Sequence, residues 1–305
     1  MSDFDFTKPA APQPASPDGF DFTKAPPAGS SAPFKAGQSQ FYNAAVAKKL
    51  FQESGKEERF SQGQKLFEEA DKGGMFKATR MYYLVEGEVA LSIGGKPLDN
   101  VKAGEIFGEM AVISDRPRSA SATAKTAATV FSLDKNGLVA ALERNPEFAL
   151  MLMSVMFDRL RFIAARLSSR KAGPMAREAS VFDPVMLQQL EAALQRANVM
   201  RYQANAHIMR EGQAGIYMYV VKSGQVTISI KDKLVEVVNP GGTFGEMALV
   251  DQSPRVANAM AVIYTELLTI DRPSLLAAVK SRPAFAVAML RAVADRLRHM
   301  NSQLG

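Results

Sequence analysis

The sequence contains no cysteine and no tryptophan, and its two histidines are His207 and His299. Without cysteine, the chain forms no disulfide and offers neither a thiolate nucleophile nor a cysteine metal ligand. Two histidines are too few for a histidine-rich metal site. The sequence shows no Ser–His–acid set, no phosphate-binding loop motif and no metal-ligand cluster. We therefore expect a protein that is not an enzyme and that holds no metal or cofactor.

Long hydrophobic runs are also missing. The longest nearly unbroken apolar stretch covers residues 149–157 and is interrupted by Ser154. It is far shorter than the roughly 20 residues that a membrane-spanning helix needs. The chain begins with acidic residues and has no basic leader, which argues against a secretory signal. We expect a cytoplasmic protein without a membrane partner.

The excess of positive charge is small, because 37 Lys and Arg residues face 31 Asp and Glu residues and leave a net charge of +6. Such an excess is compatible with an anionic partner. The densest basic cluster lies on a stretch with helical spacing, where a solvated helix face is the commoner explanation. Its members are Arg159, Arg161, Arg166, Arg170 and Lys171. Charge alone therefore does not indicate a nucleic-acid partner.

Residues 1–38 have no hydrophobic period and carry seven of the sixteen prolines. Such a segment buries too little apolar surface to offset its ordering entropy, so we predict a disordered tail. Within it, Phe-Asp-Phe-Thr-Lys occurs at residues 4–8 and again at residues 20–24. The repeat is either a duplicated docking motif whose phenylalanines bind a partner, or a low-complexity duplication without a function of its own.

The rest of the chain is an internal repeat. Matching residues stand 137 positions apart from Tyr82 onward, as with Gly87 and Gly224. Upstream the offset is 142, so the first copy has five extra residues around positions 73–77. With 47% hydrophobic residues, a chain of 305 residues has enough apolar material for two domains. We predict a first domain at residues 39–171 and a second at residues 172–305.

Each copy has the same predicted order of elements. A helix comes first, at about residues 43–53 and 184–198, and the second is preceded by the helix-capping pair Asp183-Pro184. Short strands follow, including residues 81–92, 129–133 and 266–270 and a hairpin at residues 226–238. A long amphipathic helix closes each copy, at about residues 146–170 and 283–302. This order predicts an α+β fold with two tandem antiparallel β-rolls or jelly rolls, each flanked by helices.

The two copies are most alike at residues 104–120 and 241–257. Phe-Gly-Glu-Met-Ala occurs intact in both, and an arginine follows nine residues after the glutamate, at Arg118 and Arg255. A glycine at a strand end allows close ligand approach, and free amides at a helix start bind anions. The arginine would bind phosphate oxygens and the glutamate would accept a bond from a hydroxyl. This set fits a nucleotide fragment, although the glutamate and the arginine could instead pair with each other across a turn.

At these residues the sequence resembles the cyclic nucleotide-binding domain family, which includes kinase regulatory subunits and the catabolite activator family. The resemblance implies one ligand site per copy. In the first copy the ligand-binding residues would be Gly108, Glu109, Met110, Ala111, Arg118 and Ser119. In the second copy they would be Gly245, Glu246, Met247, Ala248, Arg255 and Val256.

The same resemblance implies a role for each residue type. The glutamate would bind the ribose 2′-hydroxyl, the arginine would neutralise the cyclic phosphate, and the glycine would let the ribose approach. The amides of the alanine and of the residue after the arginine would complete the phosphate cradle. Methionine stands where the family has leucine.

Three departures distinguish the sites. The first copy has Ala70 where the second has Gly212, and it carries the insertion, so we expect a remodelled loop and altered affinity there. Val256 has no side-chain hydrogen bond to offer and favours cyclic AMP, whereas Ser119 leaves the first site open to cyclic GMP. The family often covers the base with an aromatic residue, for which Phe162 and Phe182 are candidates in the first copy.

The resemblance predicts a cyclic nucleotide sensor, most simply for cyclic AMP, that changes conformation on binding and regulates a protein partner. The alternative is a scaffold protein with empty or divergent pockets that acts through the repeated Phe-Asp-Phe motifs of its tail. A DNA-binding regulator is disfavoured, because the last predicted helix ends near Gly305 and leaves no room for a helix-turn-helix after it. The apolar faces of the long helices would also allow an oligomer.

Overall fold

The computed structural model describes residues 42–72, 78–167, 181–194, 198–251 and 254–302. The predicted tail, the five-residue insertion at positions 73–77 and the predicted boundary between residues 171 and 172 lie outside the described residues. The domain limits therefore stay a prediction.

Both copies follow one order of helices and strands. The first copy contains α1 (Ala44–Ser54), β1 (Lys56–Phe60), β2 (Lys65–Phe67), β3 (Met81–Glu86), β4 (Glu88–Ile93), β5 (Lys96–Lys102), β6 (Ile106–Phe107), α2 (Glu109–Ser114), β7 (Ser121–Ala124), β8 (Ala128–Leu133), α3 (Lys135–Arg144) and α4 (Glu147–Leu167). The second copy contains α5 (Pro184–Ala193), β9 (Asn198–Tyr202), β10 (His207–Met209), β11 (Met218–Ser223), β12 (Val226–Ile230), β13 (Lys233–Val238), β14 (Thr243–Phe244), α6 (Glu246–Asp251), β15 (Asn258–Ala261), β16 (Thr265–Ile270), α7 (Arg272–Ser281) and α8 (Pro283–Ser302).

The strands of each copy form two antiparallel four-stranded sheets. Their orders are β1-β8-β3-β6 and β2-β7-β4-β5 in the first copy, and β9-β16-β11-β14 and β10-β15-β12-β13 in the second. Each strand of the second copy therefore has the same position in its sheet as the strand numbered eight lower has in the first copy, for example β9 and β1. The predicted α+β fold, with two antiparallel β-rolls flanked by helices, is confirmed.

Local sequence signals explain several element boundaries. The side chain of Asn43 accepts hydrogen bonds from the amides of Ala45 and Val46 and so caps α1. Lys231 and Asp232 have φ values of 48° and 62°, which suit a two-residue hairpin turn between β12 and β13. A side chain at Gly87, whose φ is 94°, would overlap the carbonyl of Ala127. The predicted strand at residues 81–92 is accordingly divided at this glycine into β3 and β4.

Two sequence predictions about helices need correction. The helix expected at residues 184–198 ends at Ala193, because Asn198 pairs with Thr269 as the first residue of β9. Helices α3 and α7 are not among the elements predicted from the sequence. The side chains of Asp134 and Asp271 cap these two helices by accepting bonds from the amides of Gly137 and Ser274.

Helix α4 is buried on all sides in its first half, since every residue from position 148 to position 157 is buried. It packs against α8 and α6 of the second copy as well as α3 of its own. The two copies consequently share one hydrophobic cluster, which includes Leu152 and Leu160 from α4 and Val293 and Leu297 from α8. The apolar run that the sequence shows at positions 149–157 therefore belongs to this cluster. Of the helices described, none is both long and apolar enough to cross a membrane.

Truncation of the shared cluster should destabilise both copies together. Leu152 is fully buried, so we expect Leu152→Ala to lower the free energy of unfolding by about 2–5 kcal/mol. Val46 is 38% exposed, and Val46→Ala should change it by no more than about 0.5 kcal/mol. Urea unfolding followed by circular dichroism measures both, and a shared cluster predicts one transition. Two separate transitions, of which only one moves, would contradict the shared cluster.

Candidate functional site

A strand-to-helix turn positions the predicted site residues in each copy. Strand β6 pairs with β3 and ends at Phe107, Gly108 turns the chain with a φ of 72°, and α2 begins at Glu109. In the second copy Gly245 has a φ of 76° and α6 begins at Glu246. A positive φ is accessible to glycine at little cost. The turn therefore places each glutamate at the first position of a short helix.

Each of these glutamates is buried and paired with an arginine of the closing helix of its own copy. Glu109 is 1% exposed, and its Oε1 accepts a hydrogen bond from Nη1 of Arg159 in α4. Nη2 of Arg159 also donates to the carbonyl of Ile106, at 2.9 Å. A buried carboxylate is stable only with such a partner.

The second copy repeats this arrangement. Glu246 is 4% exposed and its Oε1 pairs with Nη1 of Arg296 in α8, while Nη2 of Arg296 donates to the carbonyl of Thr243 at 2.7 Å. Neither Arg159 nor Arg296 is among the site residues predicted from the sequence. A repeated motif could have identified them, because Asp-Arg-Leu-Arg occurs at both positions 158–161 and 295–298.

The predicted phosphate-binding arginines are buried beside the glutamates. Nη1 of Arg118 donates to the carbonyl of Gly108 at 2.8 Å, and its Nη2 donates to the carbonyl of Arg80 at 2.6 Å. Its guanidinium lies 4.0 Å from the ring centroid of Phe67, a cation–π contact. The glutamate and the arginine of the first copy therefore take different partners, and the pairing across a turn that the sequence left open is not the arrangement observed.

Arg255 makes the matching contacts in the second copy. Its Nη1 donates to the carbonyl of Gly245 at 2.7 Å and its Nη2 to the carbonyl of Tyr217 at 2.6 Å. Burial lowers the pKa of both Arg118 and Arg255, while the neighbouring glutamates oppose this shift. Arginine nevertheless stays protonated at neutral pH. Each site thus holds a desolvated cation close to a buried carboxylate.

The remaining predicted residues lie around these pairs. In the first copy Met110 and Ala111 are buried in α2, and Ser119 is half-buried with its hydroxyl donating to the Met110 sulfur at 3.8 Å. In the second copy Met247 is half-buried and Val256 is 38% exposed. Ala248 lies within α6, and its side chain is outside the described set. The ligand roles of all twelve residues stay predictions.

The loops beside the two arginines have the same backbone frame. The amide of Ala70 donates to the carbonyl of Arg118 at 2.9 Å, and the amide of Gly212 donates to that of Arg255 at 2.8 Å. Ala70 adopts a φ of 64° and Gly212 a φ of 82°. Over these residues the expected remodelling of the first loop is not observed, because Ala70 adopts the left-handed conformation that glycine adopts in the second copy.

Phe182 does not have the surroundings expected of a base-covering residue of the first copy. Its amide donates to the carbonyl of Gly241 at 3.0 Å, and its ring makes an edge contact with Phe285, with centroids 6.4 Å apart. Both partners belong to the second copy, and the ring is part of the shared hydrophobic cluster. The side chain of Phe162, the other candidate, lies outside the described set.

A family model for the cyclic nucleotide-binding domain matches the chain twice, at residues 57–145 and 199–282, which together exceed half of its 305 residues. A cGMP-dependent protein kinase of Caenorhabditis elegans is 28% identical over 230 residues, covering 72% of this chain and 26% of the kinase. A cAMP-dependent protein kinase regulatory subunit of Schizosaccharomyces pombe is 27% identical over 190 residues, covering 61% of this chain and 42% of the subunit.

Among solved structures, the catabolite activator protein of Thermus thermophilus is 30% identical, with a TM-score of 0.38, covering 41% of this chain and 62% of that one. The cAMP-bound regulatory domain of Toxoplasma gondii protein kinase A is 18% identical, with a TM-score of 0.29, covering 79% of this chain and 96% of that one. The chain spans about a quarter to two fifths of the length of the two curated kinase relatives.

The position of Arg255 depends on the absence of a side chain at Gly215. A Cβ at Gly215 would overlap the guanidinium of Arg255, so Gly215→Ala should displace this arginine and destabilise the fold by about 1–3 kcal/mol. In an Arg255→Ala background the same change should cost little, because the overlapping group is gone. Urea denaturation of the two single variants and the double variant measures this coupling.

Gly212→Ala is the matched control for this cycle. Gly212 has nothing within 4 Å of its Cβ position, so its φ of 82° alone should cost about 1 kcal/mol in both backgrounds. An additive cycle for Gly215 and Arg255 would show that Arg255 does not occupy the described position.

Proposed function

The chain belongs to the cyclic nucleotide-binding domain family, and from this premise we propose that it is a cyclic nucleotide sensor with one site in each copy. Ligand binding would move the closing helices α4 and α8 and so regulate a protein partner. The observation that carries the proposal is the geometry found twice, in which a buried carboxylate and a buried guanidinium flank one strand-to-helix turn.

The buried arginines suit the cyclic phosphate. A guanidinium has five N–H donors, and the two bonds of Arg118 to backbone carbonyls leave others for phosphate oxygens. The carbonyl bonds hold the group in place, so little side-chain entropy remains to be lost when the ligand binds. Arg255 would bind a phosphate in the second copy in the same way.

The buried glutamates would connect the ligand to the closing helices. Oε1 of Glu109 accepts from Arg159, and a carboxylate can accept further bonds through Oε2. A ribose hydroxyl on Oε2 would therefore be linked through one carboxylate to an arginine of α4. The pair of Glu246 and Arg296 would link a second ligand to α8. A ligand shifts a conformational equilibrium only through such differential contacts.

The residue after each arginine supports a ligand choice for each site. Val256 presents no side-chain hydrogen bond, which supports cyclic AMP at the second site. The hydroxyl of Ser119 donates a long contact of 3.8 Å to a sulfur, and its oxygen can accept a bond from the amino group of guanine, which supports cyclic AMP or cyclic GMP at the first site. We assign the first site to a domain at residues 39–171 and the second to a domain at residues 172–305.

Removal of either Arg118 or Arg255 should abolish tight binding at its own site only. We expect Arg118→Ala and Arg255→Ala each to cost about 2–5 kcal/mol of binding free energy, because the phosphate would be left unpaired. Isothermal titration calorimetry with cyclic AMP should show two sites in the parent and one in each variant. Arg59, whose side chain is 80% exposed, is the control, and Arg59→Ala should bind like the parent. Unchanged binding in both site variants would contradict the sensor and favour the scaffold alternative.

The link between ligand and closing helix can be tested in the second copy. The double change Glu246→Gln/Arg296→Ala removes the ion pair between α6 and α8. It also removes the contact of Arg296 Nε with Glu236 Oε1 at 3.4 Å, so the Glu236 carboxylate loses a partner as well. In the parent, we expect cyclic AMP to slow amide hydrogen exchange both in α6 and in α8. In the double variant the protection should be confined to α6, because the bond from residue 246 to α8 is missing.

An exposed arginine near the start of α8 provides the control for this experiment. Arg282 contacts Gln189 at the surface, and Arg282→Ala should leave the protection of α8 as in the parent. Full ligand-dependent protection of α8 in the double variant would show that the helix senses the ligand by another route.

A further inference from the structure

One face of α8, a helix of the second copy, lies on the ligand-binding segment of the first copy. Arg291, Asp295 and Arg298 occupy positions i, i+4 and i+7 and therefore share this face. Nη2 of Arg291 is 3.4 Å from Oδ2 of Asp115, which directly follows α2. One turn later, Oδ1 of Asp295 is 3.2 Å from Nε of Arg116. These contacts fix α8 along α2 and the loop that leads to Arg118.

Arg298 is the third member of this face. Nε and Nη2 of Arg298 are buried and have no hydrogen-bond partner within the described ranges. These two nitrogens form one edge of the planar guanidinium, the edge that binds a pair of acceptor atoms as a fork. Buried donors without acceptors are costly, and such donors in native proteins commonly have a water, an ion or a ligand as their partner.

Two charged residues of the first ligand site interact electrostatically with Arg298. Burial contributes most to lowering the pKa of Arg298, Arg116 lowers it further, and the carboxylates of Asp295 and Glu109 raise it. The charge of Arg298 in turn helps to lower the pKa of Arg118, after the dominant effect of burial. Together with the packing of α8 on α2, these interactions place Arg298 at the side of the first copy that carries Glu109 and Arg118.

We propose that Arg298, a residue of the second copy, completes the ligand site of the first copy by donating two hydrogen bonds to the bound cyclic nucleotide. This inference rests on the proposed function. Two edges of such a ligand present paired acceptors, namely the cyclic phosphate oxygens, which both nucleotides share, and O6 with N7 of guanine, which only cyclic GMP has. Occupancy of the first site would then hold α8 against α2, so that the first ligand acts on a helix of the second copy.

The test measures binding at the first site alone. In an Arg255→Ala background, titration calorimetry with cyclic AMP and with cyclic GMP reports the first site. We expect Arg298→Ala to raise the Kd by about 10- to 100-fold, the range for a hydrogen bond to a charged group. Arg298→Lys keeps the charge but loses the paired donors, so it should raise the Kd nearly as much as Arg298→Ala does. An equal loss of affinity for both nucleotides would show that the paired donors of Arg298 bind the phosphate. A larger loss for cyclic GMP would show that they bind guanine.

Two controls distinguish a ligand contact from a structural role. Arg291→Ala removes a neighbouring contact of the same face, and its Kd should stay within about twofold of the background. Thermal unfolding without ligand should show that Arg298→Ala is at least as stable as its background, because a buried cation with unused donors has been removed.

The outcomes that overturn the inference are equally distinct. Unchanged affinity in Arg298→Ala and Arg298→Lys would exclude the contact, and an equal loss in Arg291→Ala would trace the effect to a loosened contact between the copies. If the Arg255→Ala background itself bound neither nucleotide, the proposed function of the first site would fall together with the inference.

Discussion

The ion pair between a buried carboxylate and an arginine of the closing helix is the interaction on which each copy depends. Glu109 and Glu246 occupy the first position of a short helix, where backbone amides and the helix dipole favour a negative charge. Burial of these carboxylates would still be prohibitive without a cation, and Arg159 and Arg296 supply it from 50 residues further along the chain. The same bond fixes the closing helix over the ligand-binding segment, so one pair sets both the local stability and the path by which a ligand would act.

The contact between the copies adds a second constraint. Helix α4 is buried in its first half because it lies between its own domain and helices α6 and α8 of the other copy. Helix α8 in turn lies on α2, where Arg291 and Asp295 pair with Asp115 and Arg116, between α2 and Arg118. The two copies have the same internal topology, and the closing helix of each packs against the short helix of the other. At the first ligand site, this contact adds the charge of Arg298 to those of Glu109 and Arg118.

Much of the fold follows from local signals in the sequence. The duplication, the hairpin at residues 226–238 and the helix at residues 283–302 were all predictable, because each rests on spacing within a short segment. The end of α5 was not predictable in this way, because pairing of Asn198 with Thr269 competes with helix propensity. The segment with Glu109 and Arg118 was found because its glycine, glutamate and arginine recur at matched spacing. The repeated Asp-Arg-Leu-Arg contains Arg159 and Arg298. The orientation of their helices is set by tertiary packing, so no local pattern shows what these arginines contact.

A crystal structure of the full chain with cyclic AMP would test the central claim most directly. We expect nucleotide in both copies, with the cyclic phosphate on Arg118 and Arg255 and the ribose hydroxyl on Glu109 and Glu246. Each glutamate should still pair with its arginine of the closing helix. We assign residues 104–120 and 241–257 as the ligand sites. Nucleotide bound elsewhere, or no nucleotide at either segment at a saturating concentration, would contradict this assignment.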